Sequence, residues 1–122
     1  MALAVALAAF SPTPPVALHG GCIYPPALGE PGGDRSFVQC DVVVPDAGGI
    51  EFRQSAWNAR FRYEGTWEGE ILHVTALRPR TGKASPASGT CRVYVSDGRI
   101  STISCLAFVN GRAWVANFYN SA

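Results

Sequence analysis

Charged residues are scarce in this chain. Only 16% of its 122 residues are charged and the net charge is +1, whereas soluble domains average about 25% charged residues. A nearly neutral chain has no strong field with which to attract nucleic acid or an anionic membrane. We therefore do not expect a nucleic-acid-binding protein.

The chain also lacks the residue patterns of common metal and cofactor sites. Its four cysteines lie far apart in sequence, whereas zinc sites use close C-x2-C pairs, and only two histidines are present to assist them. Glycine pairs occur at 32–33 and 48–49, but neither lies between a strand and a helix, as a phosphate-binding loop does. We expect no metal and no cofactor.

No apolar run is long enough to span a bilayer as a helix, so no transmembrane span is expected. The run at residues 1–10 has the length of a signal-peptide core, and small residues and prolines follow it. No lysine or arginine precedes Arg35, so the usual basic start is missing, and a buried N-terminal helix is the alternative. We expect residues 1–18 to be an apolar leader and residues 19–122 a single domain, in a periplasmic or secreted protein.

The cysteines are even in number, which predicts disulfide bonds in a small chain with an export-like leader. Four cysteines allow three pairings, and we favour Cys22–Cys40 with Cys91–Cys105. A two-residue turn at Asp97–Gly98 would point Cys91 and Cys105 to opposite faces. The second bond therefore assumes a loop with an odd number of residues.

Glycine and proline are frequent, at 13 and 9 residues, and short β-branched or aromatic stretches separate them. This pattern predicts many short strands and no long helix. The longest loop inside the domain is expected at residues 78–89. The predicted fold is all-β and disulfide-stapled, with about seven strands in a small antiparallel meander barrel or a two-sheet sandwich.

The residues around Glu68–Gly69 predict a hairpin with that pair as its turn. This register places His73 opposite Glu64 and Leu77 on the outer face. A carboxylate can hold an imidazole in one tautomer for catalysis, but no serine has the glycine-flanked setting of a nucleophile elbow. A polar cross-strand pair is the simpler interpretation.

The C-terminal hairpin is apolar on both faces. Asn110–Gly111 predicts its two-residue turn, because both residues accept positive φ. One face of this hairpin is assigned to the core. The residues expected in the core of the domain are Trp67, Trp114, Phe61, Tyr63, Ile103 and Phe118. Trp57 is expected to be the most exposed tryptophan. In a sandwich the first two strands would cover the other face. In a barrel it would bind a protein ligand or a second copy through Leu106, Phe108, Val115 and Tyr119.

A second candidate binding element is the basic segment with Arg78, Arg80 and Lys83, which could meet an acidic partner. A solubilising loop is the alternative. Together these features favour an exported, non-catalytic binding module. Like an inhibitor domain, it would contact its ligand through loops and an exposed apolar surface. Two alternatives stay open, namely a small hydrolase that uses His73 with a glutamate, and a structural, self-associating envelope protein.

Overall fold

The computed structural model of the chain describes residues 16–24, 38–57, 59–79 and 83–120. Within those residues, eight antiparallel strands follow one another in sequence order, and the last pairs with the first to close a barrel. The fold is therefore the predicted barrel rather than the sandwich. The elements are β1 (Leu18–Tyr24), β2 (Val38–Asp46), β3 (Gly49–Gln54), a short 3-10 helix (Ser55–Trp57), β4 (Ala59–Glu68), β5 (Ile71–Pro79), β6 (Ser85–Ser96), β7 (Arg99–Val109) and β8 (Arg112–Asn120).

The strand that closes the barrel, β1, is the one that the sequence did not predict. Its two central glycines interrupt the alternation of apolar and polar residues that identifies a strand. It nevertheless pairs on both sides, with Cys22 opposite Cys40 on β2 and opposite Phe118 on β8. Leu18, the last residue of the predicted leader, already belongs to β1, and residues 1–15 lie outside the described residues.

Bulky aromatic side chains fill the barrel. The ring of Tyr63 packs edge-on against Phe52 and Phe61, with ring centres 5.8 Å and 5.5 Å apart, and its hydroxyl donates a hydrogen bond to the Trp114 carbonyl oxygen at 3.0 Å. Five of the six predicted core residues are buried, while Trp67 is half-buried at the edge of the core. The side chain of Trp57 is not among those that the structure describes, so the expectation that it is the most exposed tryptophan stays a prediction. The largest fully buried side chains are Tyr24, Tyr63, Phe52, Phe61 and Phe118.

The predicted register of the β4–β5 hairpin is wrong. The turn is Gly69–Glu70, with Gly69 at a φ of 60°, and Glu68 therefore faces Ile71. An extra residue in β5, just after Val74, then forms a bulge and reverses the alternation of side chains. As a result Leu77 points inward and is fully buried.

Both predicted disulfides are present, Cys22–Cys40 and Cys91–Cys105. The assumption of an odd-numbered loop is wrong, because the β6–β7 turn is the two-residue Asp97–Gly98. A bulge in β7 just beyond the turn restores the register instead, and Cys91 faces Cys105 directly. The predicted 78–89 loop is also shorter than expected, since β5 continues to Pro79 and β6 begins at Ser85.

The C-terminal hairpin has the predicted register. Val109 faces Arg112, and Ala107 faces Trp114. Asn110 and Gly111 form the turn with φ values of 50° and 78°. Because the whole hairpin belongs to a closed barrel, one of its two apolar faces lies inside and the other faces outward.

Candidate functional site

The outer surface of the barrel has two unlike halves. Strands β3, β4 and β5 form a charged half, which carries Glu51, Arg53, Arg62, Glu64 and Arg78. Strands β6, β7, β8 and β1 form a neutral half. The acidic or basic side chains that the described residues place on the neutral half are few: Arg92, which stacks on the ring of Tyr94, His19 near the start of β1, and Arg99 and Arg112 at strand ends.

Several side chains of the charged half form ion pairs with one another. The guanidinium of Arg62 donates hydrogen bonds to both carboxylate oxygens of Asp46, at 2.6 Å and 2.8 Å, and lies 3.2 Å from Glu64. Glu64 also pairs with Arg78 at 2.8 Å. The hydrogen bonds from Arg62 lower the pKa of Asp46, and the same contacts raise the pKa of Arg62. This network links the end of β2 to the middle of β4 and to the end of β5, and it is structural in character.

Three of the four predicted contact residues lie together on the neutral half. Leu106 faces Val115 across β7 and β8, and Phe108 faces the small side chain of Ala113. Leu106 and Phe108 are 42% and 47% exposed, although both are large and apolar. We call Leu106, Phe108, Ala113 and Val115 the apolar patch.

The fourth predicted contact residue, Tyr119, lies elsewhere. Polar residues separate it from the apolar patch, because Asn117 and Ser104 form the row between them. Tyr119 is 61% exposed and faces Thr102 on one side and Gly21 on the other. It lines a surface groove of about 420 Å³, which we call the tyrosine groove, together with Gly21, Cys22, Ile23, Gln39, Cys40 and Asn117.

The predicted basic element is not one cluster in the described residues. Arg78 belongs to β5 and is paired with Glu64, which raises the pKa of its guanidinium. Lys83 is exposed ahead of β6, and Arg80 lies outside the described residues. Whether this segment meets an acidic partner stays a prediction.

The predicted pairing of His73 with Glu64 is wrong, since the register shift places Glu64 opposite Ala76. His73 instead lies with its Nε2 atom 2.7 Å from a carboxylate oxygen of Glu68, and the two side chains are 50% and 80% exposed. Thr66 and Thr90 face His73 from the neighbouring strands. The geometry is that of a solvated surface pair, which contributes little to stability.

The residue pattern does not predict the tyrosine groove or the exposure of Tyr94, which is 47% exposed. The sequence signal for the groove is the Gly20–Gly21 pair, which breaks the apolar–polar alternation typical of a strand. The described residues contain no group of histidine, cysteine and carboxylate side chains arranged for a metal ion. They also include no helix that is long and apolar enough to cross a bilayer.

No family model, curated protein or solved structure matches this chain.

Proposed function

We propose that this protein is a non-catalytic binding module that holds a protein partner through the apolar patch. The observation that carries the proposal is the exposure of Leu106 and Phe108, side by side on the neutral half of a barrel with a filled interior. Water-exposed apolar side chains in a contiguous patch favour burial against a partner. An aromatic anchor beside smaller apolar neighbours is a common centre for such a contact.

The closed barrel determines how a partner can bind. Because β1 pairs with β8, a partner has no open edge between these strands to which it could add a strand of its own. Side chains on the sheet surface must therefore carry the contact. The hydrogen-bonded β7–β8 pair holds these side chains on a rigid support, which lowers the entropy lost on binding.

We place the module outside the cytoplasm, in the periplasm or secreted. Two disulfide bonds within one small domain are consistent with an oxidising compartment. A partner would therefore be an envelope protein or a protein met outside the cell, and inhibition of that partner is one use of such a contact.

The test is capture of proteins from envelope and extracellular extracts on the immobilised protein. Ala113→Asp places a charge between the side chains of the patch but keeps Phe108. Thr66→Asp adds the same charge to an exposed position on the charged half and serves as the matched control. We expect a protein that the wild type and Thr66→Asp capture and Ala113→Asp does not. Capture by all three alike, or by none, would contradict the proposal.

A second copy of the chain is the other occupant that the same patch suits, as in a self-associating envelope protein. Light scattering over a concentration series distinguishes this case. A mass that rises to that of two chains in the wild type, and stays at one chain in Ala113→Asp, identifies the second copy as the partner. A constant single-chain mass excludes it.

The hydrolase alternative depends on the exposed pair of His73 and Glu68, and His73→Ala separates it from the binding module. A binding module keeps its captured partner in this variant, because His73 lies outside the apolar patch. An enzyme that used His73 as its base would lose turnover by about two to four orders of magnitude.

A further inference from the structure

We infer that the tyrosine groove is a binding site for neutral sugar residues, separate from the apolar patch. The groove crosses β8, β1 and β2, and its lining contains no acidic or basic side chain. Its volume of about 420 Å³ lies within the range of about 300–1,000 Å³ that small-molecule sites occupy.

The two glycines of β1 build the groove in different ways. A side chain at Gly20 would place its Cβ 2.2 Å from the Tyr119 carbonyl oxygen, so this position needs glycine for the close approach of β1 and β8. A Cβ at Gly21 would meet nothing within 4 Å, so the fold itself leaves room for a side chain there. The missing side chain of Gly21 keeps the flank of the Tyr119 ring open, because these two residues face each other across the strands.

The side chains around this opening match the two kinds of surface that a sugar ring presents. The C–H groups on one face of a pyranose carry partial positive charge and stack on the negative face of an aromatic ring, and Tyr119 offers such a face. The amide groups of Asn117 and Gln39 each present a donor and an acceptor, which suits neighbouring hydroxyl groups. Asn117 and Gln39 flank Ile23 on either side in one cross-strand row, so the amides lie on opposite sides of the groove.

The neutrality of the lining selects among ligands. A phosphate or carboxylate ligand calls for arginine or lysine donors, and none lines the groove. A proline-rich peptide calls for a groove lined by several aromatic rings, whereas Tyr119 is the one aromatic residue among the lining residues. A neutral saccharide needs one aromatic ring for stacking and amide groups for hydrogen bonds. Tyr119, Asn117 and Gln39 supply these groups in the groove.

The test is a nuclear magnetic resonance titration of the whole protein with cellohexaose, maltohexaose and chitohexaose, and with a proline-rich peptide as a separate arm. We expect saturable shifts of the Gly21 backbone and of the Asn117 and Gln39 side-chain amides with at least one of the sugars. Gly21→Val fills the groove and Tyr119→Ala removes the stacking ring, and each should weaken binding about tenfold or more, or 1.4 kcal/mol. Tyr94→Ala removes an exposed tyrosine outside the groove and should leave the affinity unchanged.

Three results would overturn the inference: no shifts with any of the three sugars, shifts with the peptide alone, or unchanged sugar affinity in a folded Gly21→Val. The Ala113→Asp variant distinguishes a failure of sugar binding from a failure of the proposed partner binding. It disrupts the apolar patch but should bind sugar as the wild type does, so each site can fail without the other.

Discussion

Arg62 stabilises the fold through a hydrogen-bonded ion pair with Asp46. Its guanidinium is hydrogen-bonded to the carboxylate of Asp46, and the side chains are only 20% and 26% exposed. Asp46 is also tied to its surroundings by its backbone, because its carbonyl oxygen accepts a hydrogen bond from the Trp67 indole at 2.8 Å. The carboxylate and carbonyl groups of Asp46 therefore hold the end of β2 to the side chains of Arg62 and Trp67 on β4.

This arrangement predicts a loss of stability in acid. Hydrogen bonding to Arg62 holds the pKa of Asp46 below its ordinary value of 3.8, so the stabilisation is complete above about pH 4 and is lost as the pH falls through the folded-state pKa. Asp46→Asn should lower the free energy of unfolding by about 1–2 kcal/mol at pH 7 and should flatten the acid limb of the pH profile. Urea unfolding at a series of pH values measures both effects.

Asp97→Asn, in the exposed β6–β7 turn, is the control for this prediction. It should change the free energy of unfolding at pH 7 by no more than about 0.5 kcal/mol. An Asp46→Asn variant with the wild-type acid limb would show that the Arg62 contact does not govern the pH dependence.

Turn positions and bulges together explain which strand pairings could be predicted from the sequence. The Asn110–Gly111 turn fixes the whole β7–β8 register, because no irregularity intervenes before Thr102. Two further hairpins, β4–β5 and β6–β7, each contain a bulge, beyond Val74 in β5 and beyond Ile100 in β7. A bulge reverses the inside and outside faces beyond it, and its position depends on pairing with the neighbouring strand, which sequence alternation does not reveal.

The β4 glycine beside the first bulge gives a test at this scale. A Cβ at Gly65 would lie 1.9 Å from the His73 carbonyl oxygen, whereas one at Gly21 would meet nothing within 4 Å. Gly65→Ala should lower the free energy of unfolding by about 1–3 kcal/mol, because the strands must move apart. Gly21→Ala should leave it unchanged or raise it slightly, since a strand glycine has excess freedom when unfolded. Equal effects in chemical denaturation would contradict the described close approach at Gly65.

The closure of the barrel decides where the sequence could and could not indicate a site. The sequence predicts Leu106, Phe108 and Val115 as one surface because they belong to one hairpin, but the exposure of that surface depends on whether the fold is a barrel or a sandwich. The tyrosine groove was not predicted, since its parts come from β8, β1 and β2, which meet only when the chain closes. The hairpin pattern alone places Tyr119 with Leu106 and Phe108, whereas in the structure Asn117 separates it from them.

The two disulfides each bond one pair of neighbouring strands, β1 with β2 and β6 with β7. Each joins two adjacent strands, over separations of 18 and 14 residues. Replacing the pair Cys22 and Cys40 with alanine should lower the free energy of unfolding by about 3 kcal/mol, and replacing Cys91 and Cys105 should have a similar effect, because the closed loops are of similar length. Thermal unfolding of the two double variants measures this. Wild-type stability in either would show that its bond does not constrain the chain.

The central claim is that Leu106 and Phe108 form a binding surface rather than part of the core. The most direct measurement is the affinity of Phe108→Asp for the partner captured by the wild type, or for a second copy, together with its unfolding curve. The side chain is on the outer face and half-exposed, so the free energy of unfolding should fall by no more than about 1 kcal/mol, while the binding free energy should weaken by about 2 kcal/mol or more. A folded Phe108→Asp that binds as tightly as the wild type would contradict the claim.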